Sequence, residues 1–160
     1  MLDCGTGNGQ AAVELSKYFK QVFASDISTE QLALAEARNN ISYIQCPAEK
    51  IDIADNSIDL VTSAQAIHWF DLDTFYQEVI RIAKPKAILA AWWYTLPTIT
   101  EEIDSILAEL YTLLMQSSLH STQIKYVHDH YETMPFPFDR IIPNEINNLY
   151  NFLTRLCFSG

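Results

Sequence analysis

Seven residues near the amino terminus form the most specific chemical pattern in the sequence. Segment 3–9 reads Asp-Cys-Gly-Thr-Gly-Asn-Gly, with an acidic residue two places before the first glycine. Glycine lets the backbone approach a ligand closely because it has no Cβ. The GxGxxG dinucleotide fingerprint would need a glycine where Gln10 stands. The pattern predicts a ligand-holding turn with negative charge from Asp3, and the alternative is a turn whose glycines serve only packing.

A second acidic residue, Asp26, follows the next apolar run, 21 residues after Gly5. In dinucleotide-binding folds, an acidic residue about 20 positions after the glycine turn accepts hydrogen bonds from ribose hydroxyls. The residue after it, Ile27, would pack on the flat face of a base. The alternative is that Asp26 only precedes a helix capped by Ser28.

Two later segments follow predicted strands and therefore lie where open α/β sheets bind their ligands. The first is Cys46-Pro47-Ala48-Glu49, and the second runs through residues 59–71 and contains His68 and Trp69. His68 is a candidate general base because an unperturbed histidine titrates near neutrality. The alternative is a wall residue that packs beside Trp69 and hydrogen-bonds a bound group.

These segments together resemble class I S-adenosylmethionine-dependent methyltransferases, whose first motif is D-x-G-x-G-x-G. The sequence A-Q-A-I-H-W-F at 64–70 and the E-x-x-R-x-x-K-P pattern from Glu78 resemble the trans-aconitate-methyltransferase-like group. The similarity covers residues 1–94. The chain departs from the family at Lys86, where a glycine usually follows the Lys-Pro pair, and we expect this to change a turn and not the site.

The resemblance implies a cofactor, S-adenosylmethionine, with S-adenosylhomocysteine as product, and a set of residues around it. The carboxylate of Asp26 would accept from the ribose, Ile27 would cover adenine, and Ala48 would offer its backbone N–H. Glu49 would lie near the adenine edge or be a solvated surface charge. The cofactor-binding set would be Asp3, Cys4, Gly5, Gly7, Gly9, Asp26, Ile27, Ala48, Glu49 and Gln65. The substrate pocket would contain His68, Trp69 and Trp93, with His68 as the candidate catalytic residue.

The implied reaction is in-line transfer of a methyl group to an oxygen, nitrogen or carbon of a small molecule. Such a reaction depends mainly on alignment and on exclusion of water. A carboxylate acceptor, as in the trans-aconitate group, would need little help from a base. Two alternatives are a catalytically inactive binding module and a nicotinamide-dependent oxidoreductase, and the second would need a glycine in place of Gln10.

Composition argues against several kinds of partner. Ten Lys and Arg face twenty Asp and Glu among 160 residues, a formal net charge of −10. This balance disfavours nucleic acids and anionic membrane surfaces. The longest apolar run, 87–94, is far shorter than the roughly 20 residues that span a bilayer, and no signal peptide is visible. We therefore expect a small-molecule substrate and a cytoplasmic protein.

The cysteines and histidines do not indicate a metal site. Cys4, Cys46 and Cys157 are far apart and lack CxxC spacing, so reduced thiols are expected. His128, Asp129 and His130 are adjacent, with His120 upstream, but no further ligand pattern follows them. We predict that no metal is bound.

Over residues 1–96, short apolar runs alternate with helical patterns, which is typical of a doubly wound, mostly parallel α/β sheet of the Rossmann-like class. Strands are predicted at 2–3, 21–25, 41–45, 58–63 and 87–94, and helices at 10–20, 28–40 and 73–83. The first helix would turn Ala12, Leu15, Tyr18 and Phe19 inward. In the resembled family the sheet has about seven strands ordered 3-2-1-4-5-7-6, which implies the order 3-2-1-4-5 for these five.

Residues 97–160 are predicted to form a helical insertion or cap continuous with this core domain. Thr98 and Glu101 form a capping box, and an apolar stripe follows at Ile103, Ile106, Leu107, Leu110 and Leu114. A final helix is predicted from Asn144. We expect the last two family strands to be absent and the first to be cut short, which leaves exposed sheet edges that a homodimer would cover.

Overall fold

The computed structural model describes residues 1–93, 99–118, 121–139 and 151–155. Its strands are β1 (Leu2–Cys4), β2 (Val22–Asp26), β3 (Ile41–Gln45), β4 (Ile58–Ala64), β5 (Ala83–Trp93) and β6 (Asn151–Arg155). Its α-helices are α1 (Gln10–Leu15), α2 (Thr29–Leu32), α3 (Leu72–Ile82), α4 (Glu101–Ser118) and α5 (Ser121–His128), and a 3₁₀ turn spans Ile67–Trp69.

The strands form one sheet in the order β3-β2-β1-β4-β5-β6. The first five are parallel, and the predicted order 3-2-1-4-5 is confirmed. The short strand β1 lies in the middle, with Asp3 paired to Ala24 on one side and Thr62 on the other. The carboxyl ends of β1, β2 and β4 therefore meet at one edge of the sheet.

The sixth strand corrects both the helix predicted from Asn144 and the expectation that the last two family strands would be absent, because one further strand lies beside β5. Residues 151–155 pair antiparallel with β5, with Ala91 opposite Leu153. The apolar spacing at 146–156 fits a helical face, but β5 offers an open edge whose backbone groups need hydrogen-bond partners. The segment Asn151–Arg155 contains an aromatic and a β-branched residue, types that favour strands. The remainder of the predicted helix, 144–150 and Leu156, lies outside the described residues.

Two apolar clusters cover the two faces of the sheet. Met1, Ala12, Val22, Ala24 and Ile41 form the cluster beneath α1. The larger cluster contains Leu2 and Cys4 together with residues of α3. Because successive strand residues point to opposite faces, Leu2 and Cys4 of β1 both enter the larger cluster, whereas Met1, just before β1, enters the other. The predicted inner face of α3, Phe75, Val79 and Ile82, is confirmed as buried.

The first two helices are shorter than predicted. Helix α1 ends at Leu15 instead of continuing to residue 20, and Tyr18, expected to point inward, is 82% exposed. Helix α2 ends at Leu32 instead of near residue 40, and none of its residues is buried. Most helical stability in proteins comes from packing of an apolar face, so good helix formers without such a face do not extend the helix.

The predicted Ser28 capping box is only partly right, and the predicted Thr98–Glu101 box includes a residue outside the described part of the chain. The Ser28 hydroxyl accepts from the backbone N–H of Gln31 at 3.1 Å, as expected. The Ser28 N–H, however, donates to Asp26 Oδ1 at 2.9 Å instead of to the Gln31 side chain. At α4 the hydroxyl of Thr100 accepts from Ile103 N at 3.4 Å, which gives Thr100 the role predicted for Thr98. Thr98, Tyr94, Pro97 and Cys157 lie outside the described residues.

The predicted apolar stripe of α4 is on a helix, as expected, and it is largely open to solvent. Ile103, Ile106 and Leu110 are 41%, 66% and 50% exposed. In the described part of the chain no helix is long and apolar enough to cross a membrane. The division into a core at 1–96 and a cap at 97–160 stays a prediction.

The Lys84-Pro85-Lys86 segment bulges from the sheet at the start of β5. Ile58 pairs with Ala83 and Leu60 pairs with Ile88. Between these two pairs β4 advances by two residues and β5 by five, so the extra residues of β5 bulge out. Lys86 has φ 68°, in the left-handed region that favours glycine. This is the position at which the resembled family usually has a glycine, and β5 begins earlier than the predicted residue 87.

Replacing Lys86 with glycine should stabilise the protein by about 1 kcal/mol. A Cβ in the left-handed region costs about 1–2 kcal/mol in the folded state. Part of that gain is offset because glycine gives the unfolded chain more conformational freedom. Lys86→Ala is the matched control, since it removes the same charge and keeps the Cβ. Urea denaturation followed by circular dichroism measures both free energies of unfolding. Equal values for the two variants would contradict the backbone explanation.

Candidate functional site

The glycine turn connects β1 to α1 with all three glycines in left-handed conformations. Their φ angles are 66° at Gly5, 57° at Gly7 and 83° at Gly9. The backbone N–H of Thr6 donates to Ser25 O at 3.0 Å, and the N–H of Gly9 donates to Thr6 O at 3.0 Å. These bonds hold the turn over the end of β2, which confirms the predicted tight turn between β1 and α1.

At two of these positions, neighbouring atoms leave no room for a Cβ. A Cβ on Gly5 would collide with the Cβ of Ala66, and one on Gly9 would lie 2.6 Å from the Tyr43 hydroxyl. At Gly7 the nearest atom is Gln31 Oε1 at 3.8 Å. The turn therefore lies between Ala66, two residues past the end of β4, and the Tyr43 side chain of β3.

Asp3 lies beneath the turn and is 1% exposed. One carboxylate oxygen accepts from the Thr6 hydroxyl and the other from the Thr62 hydroxyl, each at 2.6 Å. Burial raises the pKa of Asp3, and the two hydroxyl donors oppose that rise. The carboxylate thus links the turn to β1 and β4. Its neighbour Cys4 is fully buried, and burial raises the pKa of its thiol well above the usual value.

Asp26 lies at the end of β2 beside the turn and is half-buried. Its Oδ2 accepts from the N–H of Gly7 at 2.8 Å, and its Oδ1 accepts from the N–H of Ser28 at 2.9 Å. An ionised carboxylate has about four lone-pair sites, so each oxygen keeps capacity for one more donor. Ile27 is 69% exposed beside it. The ribose and adenine roles of these two residues stay predictions.

The segment after β3 is tied to the start of α3. Ala48 is buried, and Oε1 of Glu49 accepts from the backbone N–H of Asp71 at 2.8 Å. Asp71 is the N-cap of α3 and accepts from Thr74 N. Glu49 therefore has a structural partner, which neither of its predicted roles included.

A Glu78–Arg81 pair holds the next part of this segment. Glu78 is 8% exposed and accepts from Ile51 N at 2.7 Å. The guanidinium of Arg81 donates to Ile51 O, Ile53 O and Glu78 at 2.7–2.9 Å. This guanidinium holds the pKa of Glu78 below its usual value. In the sequence this pair belongs to the E-x-x-R-x-x-K-P pattern, and its spacing of three residues on a helix is the signal that predicts an ion pair.

At the end of β4 the chain turns sharply toward the predicted acceptor residues. Gln65 has φ 55°, and its N–H donates to Trp92 O at 2.8 Å. His68 is 8% exposed and Trp69 is 51% exposed, with ring centroids 5.2 Å apart. Burial lowers the pKa of His68 to about 4, so the ring is neutral at pH 7.

Tyr131 is a site residue that the sequence analysis missed. It is fully buried, and its hydroxyl lies 2.7 Å from Nδ1 of His68. Its ring packs 5.0 Å from Trp93, which also contacts His130 at 5.4 Å. Trp93, predicted to line the substrate pocket, is 3% exposed beneath these rings. Its Nε1 has no hydrogen-bond partner within the described part of the chain.

The Pro-rich segment after Tyr131 packs on α3. The Tyr76 hydroxyl donates to Pro135 O at 2.8 Å, and the Tyr76 ring meets Phe136 and Phe138 edge to face. Met134 is also buried. These contacts hold residues 131–138 against α3, so the segment after α5 packs beside the candidate site.

The histidine cluster at 128–130 gathers no metal-binding set among the residues that the structure describes. Nδ1 of His128 lies 3.5 Å from Asp129, and His128 is exposed. His130 instead packs on Trp93. Its position indicates a packing role beside Tyr131.

Gly5→Ala should destabilise the protein by about 1–3 kcal/mol more than Gly7→Ala. Both substitutions strain a left-handed residue, but only the first adds a methyl group against the fixed Cβ of Ala66. Urea denaturation of the two variants measures the difference. Equal losses would show that Ala66 does not crowd the turn.

Glu78→Gln should lower the free energy of unfolding by about 2 kcal/mol, because it weakens a buried charged hydrogen-bond network. Asp59→Asn is the matched control, since it breaks the exposed Lys84–Asp59 pair and should cost under about 1 kcal/mol. Thermal and urea unfolding measure both. Similar small losses would mean that the Glu78 network adds no more than a surface ion pair.

Comparison with known proteins agrees with this geometry. The family model for the methyltransferase domain matches residues 2–91. A Dictyostelium discoideum protein named as a methyltransferase is 39% identical over 132 residues, which cover 81% of this chain and 50% of that protein. The chain therefore spans about half the length of this curated relative.

Two solved structures of similar fold are also named as methyltransferases. A type II methyltransferase structure from Anaeromyxobacter dehalogenans matches with a TM-score of 0.75 and 37% identity, covering 89% of this chain and 60% of that one. Phosphoethanolamine N-methyltransferase 2 of Haemonchus contortus, solved with S-adenosylhomocysteine, matches with a TM-score of 0.54 and 30% identity over 68% of this chain and 28% of that one. The chain belongs to the methyltransferase domain family, whose cofactor is S-adenosylmethionine.

Proposed function

We propose that the protein transfers a methyl group from S-adenosylmethionine to a small-molecule acceptor by in-line displacement. The observation that carries this proposal is the glycine turn at the carboxyl edge of the sheet, with one buried carboxylate beneath it and one half-exposed carboxylate beside it. Family membership supports the reaction type. The acceptor and the displacement geometry are parts of the proposal.

The residues at the turn fit the cofactor. At Gly5 and Gly9 the space that a Cβ would take is filled by Ala66 and Tyr43, so these two glycines serve packing, and the backbone at Gly7 is the more open surface that a ligand can approach. The carboxylate of Asp26 retains lone pairs for two hydroxyl donors. Exposed Ile27 provides an apolar surface for a base, and buried Asp3 places negative charge below a cationic ligand.

The protein's contribution to the reaction is positioning. The bound cofactor supplies an activated methyl group on a sulfonium, so the acceptor needs to be aligned and water excluded. Exposed Trp69 offers a flat apolar wall, and His68 lies beside it. Both lie past the end of β4, close to the residue that touches Gly5.

The acceptor is proposed to be a small molecule, with a carboxylate as the leading class. The net charge of −10 disfavours nucleic acid. Trp69 offers an exposed aromatic surface beside His68, which is neutral at pH 7. A carboxylate is already deprotonated at pH 7 and needs no base. Free Cys4 and Cys46 support the proposed cytoplasmic location, and the homodimer stays a prediction.

Isothermal titration calorimetry with S-adenosylhomocysteine and with NAD tests the cofactor. We expect binding of S-adenosylhomocysteine only, and NAD binding in its place would support an oxidoreductase. A panel of carboxylic acids, amines and phenols with labelled S-adenosylmethionine then tests transfer. Cofactor binding without transfer to any acceptor would favour an inactive binding module.

Ile27→Ala should weaken S-adenosylhomocysteine binding about tenfold, the effect of losing roughly 1.4 kcal/mol of apolar burial against the base. Leu34→Ala is the matched control, because Leu34 is 74% exposed and lies beyond α2. Neither change should alter the melting temperature of the free protein. Equal affinities for the two variants would place the base elsewhere.

A further inference from the structure

The His68–Tyr131 hydrogen bond joins two buried residues that are 63 positions apart in the chain. The atoms are Nδ1 of His68 and the hydroxyl oxygen of Tyr131, at 2.7 Å. Tyr131 is 0% exposed and His68 is 8% exposed. In a neutral imidazole one ring nitrogen donates and the other accepts, and the partner of one nitrogen fixes the role of the other.

The burial of Tyr131 decides which atom holds the shared proton. A buried hydroxyl needs an acceptor for its proton, because an unmade buried hydrogen bond is costly. Within the described part of the chain, the hydroxyl of Tyr131 bonds only Nδ1 of His68. Burial also raises the pKa of Tyr131, so the phenol keeps its proton. The phenol therefore donates, and Nδ1 accepts.

We propose that Tyr131 is a positioning residue that locks His68 in the Nε2–H tautomer, so that His68 donates a hydrogen bond to the methyl acceptor instead of removing a proton from it. This inference rests on the proposed function for the identity of the bound molecule. Of the two roles predicted for His68, general base or wall residue that hydrogen-bonds a bound group, the inference corresponds to the second. An Nε2–H donor fits an acceptor that is already an oxygen anion when it binds, such as a carboxylate.

The backbone around Tyr131 supports the assignment. His130 and Tyr131 have φ angles of 56° and 61°, so two consecutive residues with bulky side chains adopt the left-handed region. Such residues are uncommon there and persist where the surrounding structure holds them. The N–H of Tyr131 donates to Tyr126 O at 2.8 Å, which ends α5 in this conformation. The strained turn directs the Tyr131 ring into the space between Trp93 and His68.

The His68 ring carries no positive charge at pH 7, so it is a neutral hydrogen-bond donor. Burial lowers the pKa of His68 to about 4, so at pH 7 the ring carries one proton, and Tyr131 directs it to Nε2. Within the described residues, no protein group bonds Nε2. This N–H is therefore available to a ligand that enters beside Trp69.

Nitrogen-15 NMR of the whole chain with labelled histidine, at pH 7 and without ligand, tests the tautomer. The signal lost in His68→Gln identifies His68. We expect the Nδ1 shift of an unprotonated nitrogen and the Nε2 shift of a protonated one. Tyr131→Phe should change this pattern, whereas Tyr76→Phe should not, since the Tyr76 hydroxyl bonds Pro135. A proton on Nδ1, or a doubly protonated ring, would falsify the assignment even if Tyr131→Phe failed to fold.

A pair of His68 variants tests the donor role. Glutamine places an amide N–H near the position of Nε2 and cannot act as a base, while leucine provides neither function. We expect His68→Gln to keep kcat/KM within about threefold of the wild type and His68→Leu to lower it roughly tenfold to hundredfold. Equal losses in both would assign base chemistry to His68. A wild-type chain with the expected tautomer and no transfer would overturn the proposed function and leave the tautomer assignment intact.

Discussion

The buried carboxylate of Asp3 is the constraint on which the rest of the site depends. A carboxylate that is 1% exposed must be hydrogen-bonded, because an unpaired buried charge is far more costly than a surface one. The two donors available are hydroxyls from different elements, Thr6 in the glycine turn and Thr62 in β4. Satisfying this one group therefore holds the glycine turn against the neighbouring strand β4.

Two further attachments extend this constraint to the loops at the same edge. The Glu78–Arg81 pair holds the carbonyls and an N–H of the segment after β3, and Glu49 joins that segment to the start of α3. On the other side, Tyr131 and the Tyr76–Pro135 bond fasten the cap region beside the end of β4. Each loop that carries a proposed ligand contact is thus held by a side chain from a regular element or by a buried ring. Positioning by a rigid surround is what methyl transfer requires of a protein.

The sequence was sufficient for the parts of the fold that follow from local patterns. The glycine turn, Asp26 at the end of β2, and the inner face of α3 all follow from spacing within about 25 residues, and the structure has them where predicted. The predictions are wrong where contacts between distant parts of the chain determine the secondary structure. Helix α2 does not continue after Leu32, where none of residues 33–37 is buried, and residues 151–155 form a strand because β5 offers them an edge. Tyr131 could not be found, since nothing local connects it to His68.

The difference between local and long-range contacts also separates the two halves of the proposed site. The half assigned to the cofactor is built by motifs in which neighbouring residues satisfy one another, such as Asp3 with Thr6 and Asp26 with Ser28. The half assigned to the acceptor is built by contacts between distant segments, with His68, Trp93 and Tyr131 coming from three separate parts of the chain. A change in the cap segment can therefore alter which proton His68 presents without disturbing the glycine turn. Under the proposed function, acceptor choice and cofactor binding therefore depend on different hydrogen bonds.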